Sequence, residues 1–468
     1  MPIYDPQNNV TSVFFQSMEA LSPFESNPTL AIAVSGGADS MALSLLAYQW
    51  ATKNKGKIIA LTFDHQLRPE SKTEAKQVSD WLSPLGIEHQ TLMANTHPAE
   101  KNGNIQEQAR LSRYSSLLDW CRRHHILHLL TGHHQNDQAE TLLMRLQRGS
   151  GVDGLASIPP VSNRKNVRLL RPLLSLSHKQ LCDWLQQHQQ QWIEDPSNHN
   201  TRYTRTRMRM LLKDASISDH LLTSRLAETA TQMQMAQTAL RQQLYRAMAT
   251  CLSLYPEGYA KLDIKLFTRL PQEIALRLLA NTLTTVSGRN IPPRIAKIRN
   301  LHLNIKHSMA VSNTAENSLS SNYFNGMTLH GCVINADNNT SSLIIARELS
   351  AIPPQTMLEI NTTSSIWDGR FRYTLTPLSS ASLEEKNPHH GTDNNHYIAP
   401  LSPSGWQQIK ETTDNILPKH VLYGLPAVKK HTKDIEFVCS VPHIGYNARQ
   451  IGAPEMIFSF APQVPLTR

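Results

Sequence analysis

Cysteine is scarce and unpaired in this chain. Five of 468 residues are Cys, at Cys121, Cys182, Cys251, Cys332 and Cys439. No two stand in a C-x-x-C spacing, which argues against a disulfide framework and against a structural zinc site. Free thiols in a reducing compartment are the plain reading. Basic residues are missing from the early chain: the first Lys or Arg is Lys53. No basic n-region and no Arg-rich transit segment is therefore visible. Long hydrophobic runs are missing too. The most apolar early stretch, Leu30 to Ala47, is broken by Ser35-Gly36-Gly37 and Asp39, so it is too polar at its centre to span a membrane. The expectation is a soluble, cytoplasmic protein with no membrane partner.

What is present suits a large folded chain. Its length exceeds one ordinary domain and suggests two or three. Apolar residues make up 40% and charged residues 18%, enough to bury a core. The net charge is +9 and the pI about 9.3, which fits a polyanionic partner or only a solubility requirement.

From about residue 28 to 150 apolar runs alternate with helical patterns. Leu30–Val34, Ile58–Phe63, Glu88–Met93 and Ile126–Leu130 read as strands. Helical stretches at 38–50, 73–82, 105–124 and 136–147 separate or follow them. That alternation predicts βαβ units and a parallel sheet. Pro159-Pro160, Pro172 and Pro196 then suggest loops rather than more sheet. Residues 220–250 read as one long helix whose apolar stripe is a packing face. Two more helices are expected at 271–283 and 295–305. Residues 313–322 read as loop. Beyond 340 short strands between turns dominate, around Leu343–Ile345, Phe371–Thr374 and Glu436–Val441, with a polar, flexible stretch at 378–397.

Leu30-Ala-Ile-Ala-Val34 runs directly into Ser35-Gly36-Gly37-Ala38-Asp39-Ser40, and a helix follows. Glycines let backbone approach an anion, and the first N–H groups of the helix point at it. Ser35 and Ser40 add hydroxyl donors, and Asp39 can hold a Mg²⁺ that bridges phosphates. The loop contains no Lys and is neither a Walker sequence nor G-x-G-x-x-G. The S-G-G-x-D-S form after a strand resembles the PP-loop of ATP pyrophosphatases, which cleave ATP between the α and β phosphates. The plain alternative is a Gly-rich turn.

Other stretches narrow the resemblance. Phe63-Asp64-His65-Gln66-Leu67-Arg68 follows the second strand. Ala109-Arg110-x-x-Arg113-Tyr114 sits on a helix. Gly132-His133-His134-Gln135-Asn136-Asp137-Gln138-Ala139-Glu140-Thr141 follows a strand and opens a helix. Leu146-Gln147-Arg148-Gly149-Ser150-Gly151, Arg171-Pro172-Leu173-Leu174 and Asp195-Pro196-Ser197-Asn198 come after it. Together they resemble the tRNA(Ile)-lysidine synthetase family over about residues 30–210. Leu425-Pro426-Ala427 and Val441–Tyr446 resemble that family's C-terminal domain less specifically. One departure is Arg205-Thr206-Arg207-Met208-Arg209, where the family usually has Arg-Asn-x-x-Arg.

The resemblance implies an α/β parallel-sheet catalytic domain at 1–215, a helical domain at 216–339 and a small, mostly β C-terminal domain at 340–468. It implies ATP and Mg²⁺ as cofactors, and free L-lysine and an isoleucine tRNA with a CAU anticodon as partners. It admits a homodimer. Ser35, Gly36, Gly37, Ala38, Asp39, Ser40, Asp64 and His65 would hold ATP, with Asp39 as metal ligand. Asp39, Arg110, His133, Asp137 and Glu140 would be catalytic. Asp137 and Glu140, three apart on one helix face, would bind the substrate lysine. Arg202, Arg205, Arg207 and Arg209 would contact tRNA phosphates.

Plainer readings stand beside these. Asp137 and Glu140 at a helix start can merely complement its dipole. The arginines can be an exposed basic helix start. His124, His125, His128, His133 and His134 lack the spaced carboxylates or cysteines of a metal cluster. Three other functions compete: a tRNA thiolase, which would use reactive or cluster-binding cysteines; a ligase that adenylates a small carboxylate; and a non-catalytic tRNA binder.

Overall fold

The computed structural model describes residues 10–64, 71–93, 105–164, 166–194, 205, 207–212, 221–314, 324–337, 340–358, 364–375, 396–413, 416–432, 435–448 and 456–467. The chain divides into two compact units, Met1–Thr238 and Ala239–Arg468.

The first unit is built on a six-stranded sheet. Its strands are β1 (Thr29–Ala33), β2 (Lys57–Asp64), β3 (Glu88–Met93), β4 (His128–Leu130), β5 (Val161–Arg164) and β6 (Val167–Leu170), in the order β3-β2-β1-β4-β6-β5. All pairs are parallel except the β5–β6 hairpin. The strand pattern between 30 and 130 follows the sequence closely. The prolines of the next stretch mislead: Pro159-Pro160 precede a strand, and β6 joins β4 in parallel. Each of these strands has only four residues, too few for a clear period-two signal.

Alternate side chains feed two cores, because a strand's faces alternate. Leu30, Ile32, Ala60, Leu130 and Leu170 face one core. Helices α1 (Val10–Ala20), α2 (Ala38–Lys53), α3 (Ser71–Leu82) and α7 (His178–Gln187), which comes after the short α6 (Val152–Leu155), supply Phe14, Met18, Leu43, Leu46, Val78, Leu181 and Trp184 to it. Ala31, Leu61, Leu129 and Leu169 face the other core, with Leu117, Leu118 and Cys121 of α4 (Ile105–Arg123). Both faces of the sheet are therefore covered, as parallel sheets require. The chain winds outward from β1 through β2 to β3, then crosses to β4 on the other side of β1. Such a reversal opens a crevice at the carboxyl ends of the two adjacent strands.

The division between units falls within the helix Leu222–Cys251. The second unit contains the helices Gln272–Ser287 and Ile295–Thr314 and three antiparallel sheets. One sheet joins β7 (Leu252–Leu254), β8 (Ala260–Asp263), β9 (Met327–Leu329), β10 (Cys332–Ala336) and β11 (Ser342–Arg347). Residue 340 lies inside that sheet, between β10 and β11. Another joins β12 (Thr356–Met357), β15 (His396–Pro400), β16 (Pro426–Thr432), β17 (Ile435–Val441) and β18 (Tyr446–Asn447). The smallest joins β13 (Ser365–Trp367), β14 (Phe371–Leu375) and β19 (Met456–Phe460). Most of the 313–322 and 378–397 stretches lie outside the described residues. No helix among the described residues is long and apolar enough to cross a membrane.

Candidate active site

The crevice between β1 and β4 collects most of the sequence's candidate residues. On the β1 side the chain leaves the sheet at Val34, whose N–H donates to Leu61 O at 2.9 Å. Gly36 takes a left-handed φ of 84° and its carbonyl accepts from Ile193 N at 2.9 Å. Gly37 is the N-cap of α2 and offers no side-chain cap. The first N–H groups of α2 thus lack a side-chain acceptor at the cap, the arrangement that receives an anion. Ser40 ties the loop together: its hydroxyl donates to Gly37 O at 2.9 Å and accepts from Ser35 N at 3.2 Å. Asp39 stands in the first turn of α2.

On the β4 side the chain runs through Thr131, Gly132, His133 and His134 into α5 (Gln135–Gln147). His134 caps this helix. Its Nδ1 accepts from Asn136 N at 3.2 Å, and Asp137 Oδ2 accepts from His134 N at 3.1 Å. This reciprocal box fixes where the helix starts and which way Asp137 points. Asn136 Oδ1 accepts from His178 N at 3.1 Å, which joins the start of α7 to the start of α5. Gln138 is pinned at both ends of its amide to the backbone of Ile158.

The two sides meet through histidines. His178 Nδ1 lies 2.8 Å from Asp39 Oδ1, and His134 Nε2 lies 3.5 Å from Asp39 Oδ2. His134 Nε2 also lies 3.7 Å from Asp137 Oδ2. Burial opposes ionisation of Asp39, but His134 and His178 outweigh it and hold the carboxyl well below its ordinary range. Burial likewise disfavours the charged form of His134, yet Asp137 and Asp39 raise its pKa. His133 behaves oppositely. Burial, with Arg171, Arg205 and Arg110 adding to it, pushes its imidazole down to about 3 despite Asp137. It is a neutral hydrogen-bonding group at pH 7, with Nδ1 3.0 Å from Thr131 Oγ1.

Asp137 and Glu140 form a buried acidic pair on one face of α5. Arg205 bridges them: its Nη2 donates to Asp137 Oδ1 and its Nε donates to Glu140 Oε2 at 2.7 Å. Arg209 Nε donates to Glu140 Oε1 at 2.8 Å. Burial opposes ionisation of Asp137, and His134 and Arg205 together lower its pKa.

Of the remaining candidates, Asp64 is buried at the end of β2 and its Oδ1 accepts from Ser71 Oγ at 2.7 Å. Arg110 is exposed on α4, 5.7 Å from the Tyr114 ring centroid, and close enough to depress His133. Arg207 is exposed. His65, Arg202 and Thr206 lie outside the described residues, as does the Asp195–Asn198 motif.

Sequence reasoning missed His178. Its only signal is the capping pattern Ser177-x-x-Gln180, which starts α7. It also set His134 aside with the other histidines. Asp39, His134 and His178 bring three ligand atoms within 4.8 Å of one another, so they can hold a cation. Four of the five cysteines are buried, and burial pushes the Cys121 and Cys332 thiols up to about 12. Such thiols are poor nucleophiles.

This assembly offers an anion cradle at α2, an ionised carboxylate beside it, and a buried acidic pair one histidine away. A PP-loop domain model matches residues 9–215. The tRNA(Ile)-lysidine synthase of Wolbachia pipientis wMel is 36% identical over 441 residues, covering 93% of each chain. That of Orientia tsutsugamushi (strain Boryong) is 32% identical over 471 residues, covering 97% of this chain and 98% of the relative. Among solved structures, a U34-tRNA thiolase from Methanococcus maripaludis aligns with a TM-score of 0.43 at 14% identity, over 48% of this chain and 78% of that one. That likeness is too distant to bear on activity. With relatives so similar across nearly their whole length, the chain belongs to the tRNA(Ile)-lysidine synthase family.

Proposed function

We propose that the chain uses ATP to ligate free L-lysine onto C2 of the wobble cytidine of an isoleucine tRNA with a CAU anticodon. The cytosine C2 oxygen attacks the α-phosphorus of ATP, and the bond to pyrophosphate breaks. The lysine ε-amine, having lost its proton, then attacks C2. The C2–O bond breaks, and AMP leaves. The observation that carries this reading is the linkage of the α2 anion cradle to the buried pair Asp137 and Glu140 through Asp39 and His134.

The loop Ser35–Ser40 and the N-terminus of α2 receive the phosphates. Asp39, kept ionised beside them, is the carboxylate that would hold a Mg²⁺. When bound, it would neutralise charge on the departing pyrophosphate. Asp137 and Glu140 bind the lysine ammonium and orient its nitrogen. A free lysine amine has a pKa of about 10.4, so a carboxylate that holds the ammonium is also placed to take its proton. Neutral His133 donates or accepts a hydrogen bond near the reacting phosphate. Arg110 stabilises charge there, and Arg202, Arg205, Arg207 and Arg209 contact tRNA phosphates. The target base must leave the anticodon stack to reach the crevice. A cytoplasmic enzyme that forms a homodimer is consistent with this role.

The deciding assay incubates the protein with Mg-ATP, labelled lysine and a transcript of the isoleucine tRNA. A methionine tRNA also carrying CAU is the control. Label enters only the isoleucine tRNA, with pyrophosphate released, and Asp39→Asn lowers the rate by about a hundredfold or more. Incorporation unaffected by Asp39→Asn, or absent with the wild-type chain, sinks the reading.

A further inference from the structure

The carboxylates assigned to the lysine substrate are already occupied by this chain's own cations. Glu140 is 1% exposed and both of its oxygens accept from guanidinium groups, Oε2 from Arg205 and Oε1 from Arg209. Asp137 Oδ1 accepts from Arg205, and Oδ2 accepts from the His134 backbone N–H. All four carboxylate oxygens are thus engaged. A lysine ammonium carries three N–H donors and no acceptor, and to bind here it would have to share these oxygens with the guanidinium groups. Adding it to the arginines would crowd like charges around one buried pair. Removing Arg205 from both carboxylates without a new partner would leave its partly desolvated guanidinium uncompensated.

A phosphate resolves both problems. Guanidinium groups bind phosphates through paired, charge-assisted hydrogen bonds. Arg205 and Arg209 are both helical and four residues apart, the spacing of one helix face, and both are partly exposed: 33% and 44% of their side-chain surface. We propose that Arg205 and Arg209 occupy the ammonium position of the lysine site in the tRNA-free protein, and that tRNA phosphates draw them off, making lysine binding conditional on tRNA. The exchange conserves ion pairs: arginine moves from carboxylate to phosphate, and lysine takes the carboxylates. It also keeps a nucleophilic amine away from ATP until the cytidine is in place. Without that order the amine could attack the α-phosphorus itself and waste ATP. The inference rests on the assignment of Asp137 and Glu140 as the lysine site.

The test is equilibrium dialysis of labelled lysine against the full chain with a non-hydrolysable ATP analogue, with and without saturating isoleucine tRNA transcript. Wild-type affinity for lysine should rise about tenfold or more with tRNA, within the usual range of coupling between sites. By linkage, lysine should tighten tRNA binding by the same factor, a measurement that needs no variant. In Arg205→Gln the tRNA-free protein should bind lysine about tenfold more tightly than wild type, and the tRNA effect should shrink. Equal lysine affinity with and without tRNA in the wild-type chain overturns the ordering. Asp137→Asn separates the two ideas. If it leaves lysine affinity unchanged in the tRNA complex, the site assignment itself fails. If it weakens lysine there while the wild type shows no tRNA effect, only the ordering fails.

Discussion

Gly132 shows how little room the crevice allows. A Cβ there would lie 3.2 Å from the backbone carbon and oxygen of Asp39 and 3.3 Å from Ser40 N. Those are main-chain atoms, so neither the β4 loop nor the start of α2 can yield by turning a side chain. Gly132→Ala should push the two apart and spoil the register between the anion cradle and His134. We expect kcat/KM for ATP to fall about tenfold, read from pyrophosphate release, since small misplacements of reacting groups are costly. The sequence marked Gly132 as part of a motif, but its reason for being glycine is the neighbouring backbone. His178 makes the complementary point. It lies 139 residues from Asp39 along the chain, and no local pattern could announce their contact.

At the scale of elements, α5 resolves an ambiguity. Whether Asp137 serves the helix start or a site could not be decided from its position. One oxygen completes the cap with His134 and the other, free of the cap, meets Arg205. The hairpin β5–β6 was hidden for a different reason. Asn166 takes the left-handed conformation at its turn, φ 64°, without the Asn-Gly pair that usually signals such turns. In the second unit the turn between β13 and β14 carries Asp368, 3% exposed, which accepts from Arg347 at 2.9 and 3.0 Å and from Arg370 at 2.6 Å. This clamps the end of β11 to the β13–β14 turn. Removing the carboxylate leaves two buried guanidinium groups without this counter-charge, although Arg347 keeps its bonds to Gly331 O and Ala351 O, so Asp368→Ala should cost about 3–5 kcal/mol. A urea titration followed by circular dichroism checks it, and a midpoint shift worth less than about 1 kcal/mol would contradict the clamp.

The whole molecule should be acid-sensitive in a defined window. Burial depresses the pKa of histidines in both units, among them His133, pushed to about 3, and His443, pushed to about 4. His443 lies against Phe371 and Phe458, with ring centroids 5.2 and 6.3 Å away. A histidine depressed in the folded state stays neutral there while the unfolded chain takes up its proton. Its contribution is therefore complete above the ordinary value of 6.5 and declines as the pH falls through 6.5 towards the folded value. Each such group adds at most about 1.4 kcal/mol per pH unit to the slope. Unfolding measured between pH 7.5 and 4.5 should show stability falling with acidity, and His443→Gln should remove one proton's worth of that slope. An unchanged slope in the variant would contradict the neutral state of the half-buried His443.

The parallel sheet from β1 to β4, the PP-loop at its centre and the residue types around that loop were legible in the sequence. These are local: an apolar run, a glycine turn and a helix start lie within a dozen residues, and each shows its own period or cap. Tertiary structure decided what those residues hold. Asp39 meets His178, and Asp137 and Glu140 meet Arg205 and Arg209, because α7 and these two arginines return to the crevice from far along the chain. Where the chain divides into two compact units was decided in the same way, by contacts between distant segments. Charge recognises charge whatever the sequence separation, so the pairing of buried carboxylates is a property of the fold and not of any motif.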